Sequence, residues 1–315
     1  MAAYQAESTV AEAVSSALRQ TYPALEVIVC DDGSTDGTAC VLNSFGGAIT
    51  AIRQDNRGEA AAKNLAVRHA RGDYVVVLDA DDVFLPRRLE ALAWLAMRHP
   101  DLDILGTDAV VEADGEPIRT AYHPGWLFPV TDQRSAILER NFVLGMCAVR
   151  RVRWTEMGGF DPQLAYAADW EFWQRLIFSG SRVGLVDEPL AHYRLTRGTL
   201  SSNRVHLVQA RLEVMSRAKR WDSLTPEERR VLTRAIRRET RNLAYRMAND
   251  SLSQGGWPSR REFSRILLGR GFGIRARLGA VLAVASPTLA ARRRNKRADG
   301  MMEIGAGLRV PRSLD

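Results

Sequence analysis

The chain has 315 residues, 46% hydrophobic and 26% charged, the balance of a globular protein with room for one large domain and an appendage. Three widely separated cysteines, Cys30, Cys40 and Cys147, exclude a disulfide framework and fit a reducing compartment, and the absence of any C-x-x-C or H-E-x-x-H spacing sets aside a zinc site. The net charge of +7 is divided unevenly: residues 1–204 carry 20 Lys+Arg against 27 Asp+Glu, a net −7, and residues 205–315 carry 24 against 10, a net +14.

The first residues show no basic, apolar signal segment. Thr9-x-x-Glu12 has capping-box spacing, and Val10, Val14 and Leu18 make an apolar stripe, which together predict a helix over 9–19. Leu25–Cys30 reads as a buried strand running into Asp31-Asp32-Gly33-Ser34-Thr35-Asp36-Gly37, where Thr35 or Asp36 caps a helix over 38–45. A strand over 49–53 follows. Gly58 opens a helix that runs to about Arg71, with Gly72 at its C′ position. Tyr74–Leu78 is a β-branched apolar run, a buried strand, and it leads into Asp79-Ala80-Asp81-Asp82. Pro86 sits at the N1 position of a helix ending near Arg98. This alternation predicts a parallel sheet with crossover helices.

Beyond Asp103–Gly106 the pattern changes. Residues 109–122 read as a hairpin about Asp114-Gly115. A helix over 132–139, a strand over 142–149, a Gly158-Gly159 loop, a helix over 169–179 and strands over 182–186 and 191–194 follow. Arginine-dense helices are expected over 203–221 and 226–251, then a break at Gly255-Gly256-Trp257-Pro258 and a further helix over 259–268. Residues 274–291 are apolar and flanked by arginines. Their uncharged core is too short for the roughly 20 residues of a bilayer span and predicts a helix lying in the membrane interface. The last dozen residues are expected to lack structure.

Carboxylates spaced Asp-x-Asp at a strand end point the same way and can share one ligand, a hard divalent cation completed by phosphate or water. Ligands of open α/β sheets bind at that edge. Asp82 is read as a turn residue.

Val27–Gly37, Gly58–Asn64 and Leu78–Asp82, with Gln20-Thr21-Tyr22-Pro23, closely resemble family-two glycosyltransferases of the GT-A fold over residues 2–204. The resemblance implies a Rossmann-like α/β domain, followed here by a helical extension over 205–315 with a membrane-surface segment at 270–297. It implies transfer of a sugar from a UDP-, GDP- or dTDP-sugar to a hydroxyl of a glycan or lipid-linked acceptor, with inversion and with Mg²⁺ or Mn²⁺. By the family's pattern Tyr4 stacks on the nucleotide base, and Asp32 and Lys63 contact the nucleotide. Asp79 reaches ribose and metal, Asp81 binds the metal, Arg194 reaches the diphosphate and Asp169 is the general base, with Glu171 second. The chain departs from the pattern in three places. The family's opening strand is mostly missing before Tyr4, Ala168 replaces a glutamate before the base, and Tyr193-Arg194-Leu195-Thr196 lacks a histidine.

The residues keep other readings open. Asp169 is also a plausible plain helix cap, and Trp170 and Trp173 suit a core as well as a sugar site. A non-catalytic nucleotide- or partner-binding relative is one alternative. A nucleotidyltransferase is another, although no Gly-rich phosphate loop is visible. The basic segment predicts an anionic membrane surface over nucleic acid, since no nucleic-acid module is present. The expected location is cytoplasmic, on the inner face of the membrane.

Overall fold

The computed structural model describes residues 1–23, 26–122, 127–195, 204–253, 266, 280, 301–304 and 308–311. The chain divides into two units, Met1–Arg197 and Gly198–Asp315.

In the first unit β1 (Ala2–Ala3), β2 (Ile28–Asp31) and β3 (Thr50–Arg53) form a parallel sheet in that order. The opening strand is thus present as two residues, in register with Cys30 and Asp31. The Met1 carbonyl accepts from Cys30 N–H at 2.9 Å and the Ala3 carbonyl from Asp32 N–H at 2.8 Å. Alternation along the second strand feeds two cores. Val27 and Val29 pack with Val10 and Val14 of α1 (Val10–Leu18), and with Leu42 of α2 (Thr38–Ser44). Ile28 and Cys30 pack with Ala62 and Ala66 of α3 (Glu59–His69) on the opposite face. Helices therefore cover both faces of this layer.

The second sheet is mixed. It contains β4 (Tyr74–Val76), β5 (Val83–Phe84), β6 (Ile104–Ala113), β7 (Glu116–Thr120), β8 (Ala148–Arg150) and β9 (Val183–Leu195). Its order is β4-β8-β6-β9-β5, with β7 added on β6. The pair β6 and β9 is parallel and the other pairs are antiparallel. The strands expected over 182–186 and 191–194 are one strand, whose register against β6 shifts near Asp108. The hairpin turns at Asp114 and Gly115, both with positive φ. Helix α4 (Arg88–Arg98) lays Leu92 and Leu95 on Leu102 and Leu105.

Four local expectations differ. Thr9 is the N-cap of α1 but makes no side-chain cap bond. Helix α3 ends at His69, earlier than expected. Pro86 lies two residues before α4 instead of at its first position. Residues 142–147 are not strand but a loop between α5 (Gln133–Glu139) and β8, and a short helix α6 (Arg151–Glu156) follows at once. Helix α7 (Ala168–Phe178) closes the set that bears on the site.

In the second unit α8 (Arg204–Ala218) packs on α9 (Pro226–Ser253). A capping box starts the latter: Thr225 Oγ1 accepts from Glu228 N–H at 3.2 Å and Glu228 accepts from Thr225 N–H at 2.8 Å. Residues 301–304 and 308–311 pair as antiparallel strands, where the sequence predicts no structure over the last dozen residues. The helix expected over 259–268 and the membrane-surface segment 270–297 lie outside the described residues, apart from Ile266 and Ala280, both buried. Among the described residues no helix is long and apolar enough to cross a membrane.

Candidate active site

The site forms where the strands of both sheets end in acids. At the end of β2, Asp31 binds Ser34 N–H at 2.9 Å and Arg53 at 2.6 Å. Asp32 is buried and accepts three bonds, from the Gln54 side chain at 2.7 Å, Arg57 N–H at 2.9 Å and Gly58 N–H at 2.8 Å. It thereby ties the loop after β2 to the loop after β3. Gly33 is required between them: its φ is +78° and a Cβ would lie 2.8 Å from Asn56 N. Tyr4 follows β1 beside Asp32 and leaves 53% of its surface open, the state a stacking platform needs. Gln5 fixes this corner, its side-chain oxygen accepting from Thr35 N–H at 2.7 Å and from Asp36 N–H at 3.3 Å. Nothing in the sequence singles out Gln5, a polar residue of ordinary type.

After β4, Val77 N–H donates to the Cys147 carbonyl at 3.1 Å, and the chain turns through Asp79, Ala80, Asp81 and Asp82. Lys63 of α3 is buried and reaches Asp79 at 2.5 Å and also Glu59. Burial disfavours the Lys63 charge, yet Asp79 and Glu59 outweigh it and hold its pKa above the ordinary lysine value. Burial, and then the Asp79 charge, push the Asp81 carboxyl up to about 6. Among the described residues no other side chain is bonded to it. Asp82 is 1% exposed and its pKa is raised well above the ordinary aspartate value, first by burial and then by Asp79 and Asp81. It accepts from Arg194 N–H at 2.9 Å, and among the described residues its buried Oδ2 has no partner.

Arg194 meets this cluster with its backbone. Its guanidinium is paired with Glu12 at 2.6 and 2.9 Å and with Glu112 at 3.4 Å, and Glu112 also holds His192. A diphosphate contact by Arg194 would require these carboxylates to be displaced.

Asp169 is the second residue of α7, entered through Ala167 in the left-handed region at φ 55°. Asn141 donates to Asp169 Oδ2 at 2.9 Å. Burial raises the Asp169 pKa, against the opposing pull of Trp170 N–H, Lys63 and Asn141. Glu171 is committed elsewhere, held by Arg175 at 2.7 and 2.9 Å. Trp170 donates to the Ile137 carbonyl at 2.7 Å, and Trp173 is fully buried among Phe160 and Phe172, so both are core. Asn64 clamps the Gly158-Gly159 loop, donating to the Phe160 carbonyl at 2.7 Å and accepting from Phe160 N–H at 3.0 Å. The Phe160 ring lies 5.8 Å from the Lys63 ammonium. Lys63 pairs with Asp79, and its charge also pulls against the raised pKa of Asp81, Asp82 and Asp169, so the four acids lie in the field of one ammonium.

The family profile described as glycosyl transferase family 2 matches residues 1–157. Those residues, just under half of the chain, belong to that family. EpsE of Bacillus subtilis (strain 168) is 37% identical over 116 residues, 35% of this chain and 42% of that relative, so the match spans under half of its length. TuaG of the same organism, named for teichuronic acid biosynthesis, is 29% identical over 64% of this chain and 79% of its own. WfgD of Escherichia coli, a UDP-Glc:alpha-D-GlcNAc-diphosphoundecaprenol beta-1,3-glucosyltransferase, is 24% identical over 68% and 83%. S. aureus TarS 1-349 in complex with UDP aligns at a TM-score of 0.60 and 14% identity, covering 99% of this chain and 95% of that one. The mannosyltransferase PcManGT from Pyrobaculum calidifontis, in complex with GDP-Man and Mn²⁺, aligns at 0.57 and 20%, covering 94% and 85%. The glycosyltransferase fold is GT-A, a Rossmann-like layer joined to a mixed sheet.

Among the described residues no three His, Cys, Asp or Glu side chains gather closely enough to hold a metal alone. Asp79 and Asp81 fit a cation completed by phosphate oxygens. Among the described residues the cation paired with Asp79 is Lys63, which Glu59 shares.

Proposed function

We propose that this glycosyltransferase moves a sugar from a nucleoside-diphosphate sugar to a hydroxyl of a cell-envelope glycan or lipid-linked acceptor, with inversion. The observation that carries the proposal is Asp169, a half-buried carboxylate in the first turn of α7 that is held by Asn141 at 2.9 Å and faces the charge of Lys63, the partner of Asp79. Tyr4 and Asp32 receive the nucleotide base. Asp79 and Asp81 are the residues that would hold Mg²⁺ or Mn²⁺, and Lys63 sets the position of Asp79. When bound, the ion neutralises charge on the departing diphosphate. The acceptor oxygen attacks the anomeric carbon on the face opposite the diphosphate. Asp169 takes the hydroxyl proton as the new bond forms, and a raised pKa matches a base to that task. UDP on TarS, and GDP-Man with Mn²⁺ on PcManGT, support the donor class and the metal.

Titration of UDP-, GDP- and dTDP-sugars with and without Mn²⁺ by calorimetry tests donor binding. Asp169→Asn should keep the wild-type nucleotide affinity and lose about 10²–10⁴-fold in turnover. Normal turnover in that variant would refute the assignment. Donor binding without turnover by the unaltered chain would favour a non-catalytic relative.

We also propose that the chain works at the cytoplasmic face of an anionic membrane. Arg230, Arg234 and Arg237 are exposed at helical spacing on α9, within the part of the chain that carries +14.

A further inference from the structure

We infer that Asn141 is a positioning residue that fixes one oxygen of Asp169 and leaves the other for the acceptor hydroxyl. The inference rests on Asp169 being the base. Asn141 Nδ2 donates to Asp169 Oδ2 at 2.9 Å, while Asn141 Oδ1 accepts from Val143 N–H at 3.2 Å. The two contacts together allow one orientation of the amide. Turned over, it would set its oxygen against a carboxylate and its NH₂ against an N–H.

The loop that carries Asn141 is anchored independently. The Cys147 carbonyl accepts from Val77 N–H, two residues before Asp79, at 3.1 Å. The Met146 carbonyl accepts from Arg88, a fully buried guanidinium that also donates to Thr107. A Cβ on Gly145 would stand 3.9 Å from Asp169 Oδ2, so the loop passes directly over that oxygen. This is why residues 142–147 are not strand: they bend to join the acid-bearing end of β4 to the start of α7. The groups that face Asp169 are Lys63 and Glu59 from α3, Asn141 and Cys147 from the loop, and the Trp170 N–H of its own helix.

Removing the Asn141 donor withdraws a bond to the charged form, so the Asp169 pKa rises. The test follows the Asp169 carboxyl carbon by NMR titration, assigned with Asp169→Asn, alongside release of nucleotide from UDP-glucose, UDP-GlcNAc and GDP-mannose with Mn²⁺. Asn141→Ala should raise the Asp169 pKa by about one unit. It should move the acidic limb of kcat/KM upward equally and lower kcat, with the donor KM unchanged. Asn141→Asp keeps an acceptor for Val143 N–H, carries the test if Asn141→Ala fails to fold, and should raise the pKa further. An unshifted Asp169 titration in either folded variant overturns the proposal, as does a weakened donor KM with an unmoved limb, which marks a structural role. Retained turnover in Asp169→Asn would sink the base assignment instead, so the two failures are distinguishable.

Discussion

Gly159→Ala offers a direct test of how the loop after α6 is built. Gly159 has φ +72°, and a Cβ there would stand 2.2 Å from Asn64 Oδ1 and 2.6 Å from Trp154 Nε1. Its neighbour Gly158 has φ +76°, and a Cβ there would meet nothing within 4 Å. Both substitutions place an L-residue in the left-handed region, at about 1–2 kcal/mol. Only Gly159→Ala also drives Asn64 off Phe160, losing two hydrogen bonds of about 1 kcal/mol each. Gly159→Ala should therefore destabilise by about 3–4 kcal/mol and Gly158→Ala by about half that. At about 2–4 °C per kcal/mol for a unit of this size, the difference between them is roughly 4–8 °C. Thermal unfolding followed by tryptophan fluorescence reads it, since Trp154 lies in the affected corner. Equal losses in the two variants would refute the close approach as the reason for glycine at 159.

Lys63→Met removes the cation shared by Glu59 and Asp79. Because those partners' side chains are 47% and 31% exposed, the stability loss should be about 1–2 kcal/mol, below that of a fully buried pair. Urea unfolding measures it, and a loss above roughly 4 kcal/mol would contradict the partial solvation. Flotation with phosphatidylglycerol vesicles tests the membrane proposal. Replacing Arg230, Arg234 and Arg237 together by Gln should weaken binding by roughly 100-fold or somewhat more, on the order of 1 kcal/mol per arginine. No binding by the unaltered chain, or none lost in the variant, would refute it.

The crossover layer is legible in the sequence because each element there is signalled locally. The alternation of Val27 to Cys30 and the turn residues Asp31–Gly37 need no distant partner to be read. The same holds for the acids at Asp79–Asp82. The second sheet is less legible because its strands are paired by residues far apart in sequence. Asp108 marks a register shift that no periodicity displays, so one long strand reads as two. The apolar run Phe142–Val149 has a strand's composition, and only the contacts to Arg88, Val77 and Asp169 show why most of it is bent. Arg194 illustrates the same limit, since motif position cannot reveal that Glu12 and Glu112 hold its guanidinium. Asn141 and Gln5 leave no local signal because their work is done across the fold.

The three bonds that Asp32 accepts have a thermodynamic consequence for whatever binds beside it. The side chain has already lost its rotational freedom when the chain folds, so a ligand meets an acceptor whose direction is set beforehand. Less ordering then remains to oppose association, and the loops after β2 and β3 enter the bound state as one prearranged rim.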